Sequence, residues 1–100
     1  MPDLKVVHLT LRGRVQGVGY RAWCAQEAQA RGLRGWVRNR RSGAVEAVFA
    51  GPAPAVDEMV HACHAGPAGA RVDDVVQHDA AETALAAGGG GDGFHILETV

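Results

Sequence analysis

Residues 6–12 alternate along the chain, with Val7, Leu9 and Leu11 on one side and Val6, His8, Thr10 and Arg12 on the other. That period of two predicts a half-buried strand. Three glycines punctuate the next stretch, Gly13-Arg14-Val15-Gln16-Gly17-Val18-Gly19, which reads as a loop. From Tyr20 the period becomes helical: Tyr20, Trp23, Cys24 and Ala28 share a face, and Gly32 is the stop. A short apolar stretch over 33–37 runs into the polar turn Asn39-Arg40-Arg41-Ser42-Gly43. Val45, Ala47 and Phe49 then alternate with Ala44, Glu46 and Val48, the second arm of a hairpin.

Gly51-Pro52-Ala53-Pro54 breaks that strand, and Pro54 suits the first turn of a helix. Val56, Met59, Val60 and Cys63 recur at helical spacing as a core-facing stripe, which Gly66-Pro67 ends. Val72, Asp74, Val76 and His78 alternate with Asp73, Val75 and Gln77 in a further strand. Residues 80–93 include Gly88 to Gly91 and read as a flexible Gly/Ala-rich loop with no apolar period to dock on a core. Phe94, Ile96 and Leu97 form a short last strand. Apart from that irregularity the order is β-α-β-β-α-β, the split βαβ pattern of ferredoxin-like α+β sandwiches. One antiparallel sheet with two helices on one face would bury both helical stripes. No internal repeat accompanies it.

Length agrees with this picture, because 100 residues are one domain's worth of chain, expected to span 1–100. Cys24 and Cys63 are too few for a disulfide framework and read as buried free thiols in a reducing compartment. No apolar run reaches the roughly 18 residues of a membrane span, and residues 1–8 lack a signal peptide's apolar region. A cytoplasmic protein with no membrane partner is the expectation. The net charge of −1 conceals an asymmetry. Residues 1–50 hold nine basic and three acidic residues, while 51–100 hold Arg71 against eight acidic residues. A basic half suits an anionic ligand, although surface charge balance alone would also account for it.

Chemistry concentrates in residues 13–21, between a strand and a helix. Gly17 and Gly19 free the backbone so that N–H groups can converge, and the following helix aims its N-terminus at the same spot. Arg21 adds a planar fork suited to two phosphate oxygens. The spacing is neither that of a Walker A loop nor the dinucleotide-binding G-x-G-x-x-G. A plain glycine connector is the competing structural reading at this point.

Residues 13–21, followed by Gly35-Trp36-Val37-Arg38-Asn39, resemble the paired motif of the acylphosphatases. Gly43-Ala44-Val45-Glu46, Gly51-Pro52 and Arg71-Val72-Asp73 fit the same pattern, so the resemblance covers most of 6–79. It implies hydrolysis of the carboxyl–phosphate bond of small acyl phosphates, giving a carboxylate and inorganic phosphate. It assigns phosphate binding to Gln16, Gly17, Val18, Gly19, Tyr20 and Arg21, and catalysis to Arg21 and to Asn39, which would orient the attacking water. No cofactor and no metal are expected. Inorganic phosphate or sulfate should occupy the same site, and the protein should act as a monomer. Three departures stand out: Arg31 where an apolar helix residue is expected, Arg40-Arg41 in the turn, and the loose 80–93 segment.

Rival readings fare less well. His61 and His64 flank Cys63 at helical spacing, but Cys63 lies on the apolar stripe, so a solvated polar face is the better reading than a metal site. Trp23 and Trp36 read as core or rim aromatics. An RNA-binding module would need stacking aromatics on its central strands, and Val45, Ala47 and Phe49 offer no basic-aromatic run. No nucleic-acid partner is expected. The other alternative is a phosphate- or carbamoyl-phosphate-handling domain of a larger maturation factor, against which residues 1–100 read as complete.

Overall fold

Strand pairing around the first strand organises the chain. In the computed structural model, which describes residues 3–100, β1 (Leu4–Arg14) is followed by α1 (Tyr20–Ala30), β2 (Arg34–Asn39) and β3 (Val45–Pro52). Then come α2 (Ala53–Cys63), β4 (Arg71–Asp79), a 3₁₀ helix (Glu82–Gly88) and β5 (Phe94–Ile96). Residues 1 and 2, where the stretch read for a leader begins, lie outside the described residues. No helix of the described residues is long and apolar enough to cross a membrane.

The sheet order is β4-β1-β3-β2-β5. The first four strands pair antiparallel, as expected, and β5 joins β2 in parallel, with Gly35 opposite Phe94 and Val37 opposite Ile96. The sheet is therefore mixed, with its short last strand as the parallel edge. This is the ferredoxin-like sandwich the pattern predicts, with one strand added.

Alternation along β1 fixes which residues meet the helices. Val7, Leu9 and Leu11 are fully buried with Val45, Ala47 and Phe49 of β3, Cys24 and Ala28 of α1, and Val56, Met59 and Cys63 of α2. Burying each large aliphatic side chain is worth about 1.5–3 kcal/mol. Arg31, out of place as a core residue, ties the helices together instead: its guanidinium donates to Glu27 of α1 at 3.1 Å and Glu58 of α2 at 3.0 Å. Cys24 and Cys63 are free thiols, both buried.

Two expectations need correction. Strict alternation in β4 would put Val72 and Val76 on one side and Val75 on the other. In fact Val72 and Val75 both pack on the core, and Val76 is exposed. The cause is a register shift: Arg12 faces Asp74 but Gly13 faces Val72, leaving Asp73 as an extra residue. Residues 80–93 are also not one loose loop. The 3₁₀ helix buries Leu85 against Val6, Trp36, Val48 and Ala50, a second apolar cluster on the sheet face opposite α1 and α2. Trp36 Nε1 donates to the Ala84 carbonyl at 2.8 Å and fixes the helix there. One leucine among alanines and glycines leaves no periodic signal.

Leu85→Ala should therefore destabilise the protein by about 2–4 kcal/mol, the range for an emptied core leucine. Urea unfolding measures this. A change below about 0.5 kcal/mol, typical of exposed positions, would show that the segment does not dock.

Candidate active site

The loop after β1 is shaped by what its glycines permit. Gly13 has φ of +124°, and a Cβ there would collide with the Arg71 carbonyl oxygen of β4. Only glycine lets β1 and β4 stay paired at this bulge. Val15 then plunges into the core, 1% exposed, and Val18 packs against the same core, which pins the loop at two points. Gly19, in the left-handed region at φ 78° and ψ 21°, reverses the chain into α1 as its N-cap. Gly17 also has a positive φ, 74°.

α1 begins without its own cap. No side chain bonds its first turn, and that turn holds no acidic residue. The leading N–H groups and the positive end of the helix dipole are thus left for something else. They open on a cavity of about 280 Å³ lined by Val15, Gln16, Gly17, Gly19, Tyr20, Arg21, Ala22, Asn39 and Ile96.

Arg21 and Asn39 meet across this cavity although 18 positions separate them in the chain. Arg21 is half-buried, and no carboxylate among the described residues pairs with it. Arg31, Arg34, Arg38, Arg40 and Arg71 have such partners, whereas Arg12, Arg14 and Arg41 share its lack of one, so its place on the cavity is what sets Arg21 apart. Asn39 is the last residue of β2, paired with Val45, and its backbone is not left-handed. It is therefore not the turn-former its residue type would allow. Its Oδ1 atom is buried without a hydrogen-bond partner among the described residues. An acceptor hidden from bulk water and left unpaired costs stability, which points to a partner supplied from the cavity.

The other predicted residues divide. Gln16, Gly17, Gly19 and Tyr20 border the cavity, whereas Val18 does not. The Tyr20 ring is buried and its hydroxyl donates to the Cys63 carbonyl of α2 at 2.6 Å. Burial first, and Cys63 second, push that phenol well above its ordinary range, so it remains a neutral anchor. With its hydroxyl committed to α2, Tyr20 has only its backbone N–H left to offer a ligand. The Gln16 amide turns away to the β2–β3 turn. Val15, Ala22 and Ile96 complete the lining and were not foreseen. Ile96 arrives only through the parallel pairing of β5, which no local pattern signals.

No group of three or more His, Cys, Asp or Glu among the described residues is arranged to hold a metal ion. His61 and His64 are exposed. A larger cavity of about 480 Å³ lies between Leu33, Gly51 and Phe94, but its Arg34 is already paired with Glu82 at 3.2 Å. Between these two, the meeting of an unpaired guanidinium, a helix start without a side-chain cap and the Asn39 oxygen, not volume, favours the smaller one.

Comparison with known proteins identifies the family. The acylphosphatase family model matches residues 7–96. An acylphosphatase of Azorhizobium caulinodans is 56% identical over 95 residues, covering 94% of this chain and 96% of the relative. The crystal structure of acylphosphatase from Bacillus subtilis superposes with a TM-score of 0.82 at 34% identity, over 95% of this chain and 99% of that one. Full-length HypF in its phosphate- and nucleotide-bound form shares the fold at a TM-score of 0.83. There the identity is 21%, and 99% of this chain matches 12% of that one.

The two kinds of glycine should respond differently to a methyl group. Gly19→Ala meets open space and should lose only the left-handed backbone preference, about 1–2 kcal/mol. Gly13→Ala must also push β4 away and should cost more. Urea unfolding of both variants compares them, and equal losses would contradict the close approach at Gly13.

Proposed function

The chain belongs to the acylphosphatase family, and we propose that the cavity between residues 15–22 and Asn39 is where it hydrolyses the carboxyl–phosphate bond of acyl phosphates. The observation that carries this reading is the convergence of an uncapped helix N-terminus, an unpaired Arg21 and the partnerless Asn39 Oδ1 on one cavity.

Arg21 and the N–H groups of the loop and first turn would hold the phosphoryl oxygens, the guanidinium as a fork and the backbone as fixed dipoles. A water between the phosphoryl group and Asn39 would donate a hydrogen bond to Asn39 Oδ1 and aim its lone pair at phosphorus. As the new O–P bond forms, the bond from phosphorus to the carboxyl oxygen breaks, and the carboxylate leaves with the electron pair. Its conjugate acid has a pKa of about 4, so it departs without a general acid. The water's proton passes to a phosphoryl oxygen of the substrate. Positive charge in the transition state comes from Arg21 and the helix dipole, so the reaction proceeds without a metal ion.

Turnover of a simple aryl acyl phosphate should persist in EDTA. Inorganic phosphate should compete with that substrate in the wild-type protein but not in Arg21→Ala. Arg21→Lys should restore little, because a point charge replaces a fork. Losing the charge-assisted contact should cost on the order of 2–5 kcal/mol of phosphate binding, read by calorimetry. Undiminished phosphate affinity in Arg21→Ala would move the site elsewhere, and a Mg²⁺ requirement would overturn the metal-free mechanism.

Asn39→Ala should fold and bind phosphate yet lose most of kcat with little change in KM, as for a contact realised in the transition state. Asn39→Asp should be as inactive, since it sets a negative charge beside an anionic substrate. Measuring melting and turnover on the same preparations checks this, and near-wild-type kcat in Asn39→Ala would remove it from the mechanism.

A further inference from the structure

The Gln16 side chain is the link between the two halves of the site. Its Nε2 lies 2.8 Å from the Arg40 carbonyl and 2.8 Å from the Ala44 carbonyl. Two carbonyl acceptors fix the amide's orientation, because only the NH₂ end can serve both. Those carbonyls are the two ends of the β2–β3 turn: Arg40 N donates to the Ala44 oxygen at 2.8 Å, and Gly43 N to the Arg40 oxygen at 3.0 Å. Arg41, Ser42 and Gly43 between them are exposed. Asn39 immediately precedes this turn. Among the described residues, these are the only side-chain hydrogen bonds joining residues 15–19 to the hairpin.

Both amide hydrogens are thus spent on the turn, and neither is left for a phosphate oxygen. The backbone of Gln16 meanwhile borders the cavity. One residue therefore faces the ligand with its main chain and grips the carrier of Asn39 with its side chain. We propose that Gln16 is a positioning residue: its amide sets the distance between the phosphoryl cradle and Asn39, and so aligns the water with the bond to be broken. This rests on reading residues 15–22 as the cradle and Asn39 as the water's acceptor.

The expected signature is a loss in the chemical step, because misplacing reacting groups by a fraction of an ångström is costly to kcat while either half can still bind alone. Gln16→Met keeps the length and removes both donors. It should lower kcat roughly 10- to 100-fold. KM and the inhibition constant of inorganic phosphate should move by less than about threefold. Gln16→Glu turns a carboxylate against two carbonyls and should be as impaired near neutral pH. Protonation restores one donor, so its kcat relative to wild type should recover as pH falls toward a carboxyl's usual range, about 4–5. Gln16→Met should show no such recovery. In an Asn39→Ala background, Gln16→Met should cost almost nothing further, since it acts through the residue already removed.

The proposal is overturned by wild-type kcat in Gln16→Met, by a loss confined to KM and phosphate binding, by full multiplication of the two losses, or by a Gln16→Glu variant without pH-dependent recovery. If Gln16→Met does not fold, the Gln16→Glu pH profile decides alone. Failure of the underlying reading looks different: Asn39→Ala by itself would then keep its turnover.

Discussion

The antiparallel pairing of β1 with β3 is the constraint from which the site follows. It sets Leu11 opposite Val45, while β2 sets Asn39 opposite Val45 from the other side. The end of β1 and the end of β2 therefore flank the same residue. A loop that leaves β1 four positions after Leu11 has to turn beside Asn39, and a helix that starts from it has to aim at the same place. A one-residue slip of that register would move Val7, Leu9 and Leu11 to the outer face and carry Asn39 away from the loop together. Core and cavity are specified by one alignment.

Around that alignment, pairing is uneven: most cations are neutralised, and the cavity proposed as the site is bordered by one that is not. Six other cationic side chains, Lys5 among them, and the His8 imidazole rest on carboxylates, and Arg38, Arg40 and His8 share Glu46. Burial alone would raise the Glu46 carboxyl, but the bonds from His8 and Arg38 outweigh it and hold it below its usual value. Arg21, like Arg12, Arg14 and Arg41, has no such partner, and α1 starts at Gly19 without the side-chain bond of a Ser, Asp or Asn cap, a loss of roughly a few tenths of a kcal/mol. Gly19 at that position adds the conformational entropy of glycine to what folding must overcome. In the proposed reading, the positive end of α1 and the guanidinium are what would meet the anion.

Much of this was legible because the informative signals are local. Val7, Leu9 and Leu11 alternate; Val56, Met59, Val60 and Cys63 keep helical spacing; and both α2 and β1 follow from them. The cradle lies in one contiguous run, so its glycines and Arg21 could be read as a unit. What escaped depends on partners far along the chain. The bulge opposite Gly13 reassigns Val72 through a register no alternation reveals. Leu85 is a single apolar residue whose pocket is made by β1, β2 and β3. Ile96 reaches the cavity through β5, and the Gln16 amide finds carbonyls 24 and 28 positions away. Hydrogen bonds of that span have no period.

The two sulfurs sealed between α1 and α2 carry a consequence of another kind. Cys24 and Cys63 are each 0% exposed, and Tyr20 closes over them with its bond to the Cys63 carbonyl. A hydrogen bond to Cys63, then burial, raises the Cys24 thiol and keeps it from the reactive thiolate form. A reagent in solution reaches either sulfur only when the helices part. The rate at which these thiols are consumed therefore meters the opening of the helical layer, and slow consumption means that the wall behind the cavity rarely breathes.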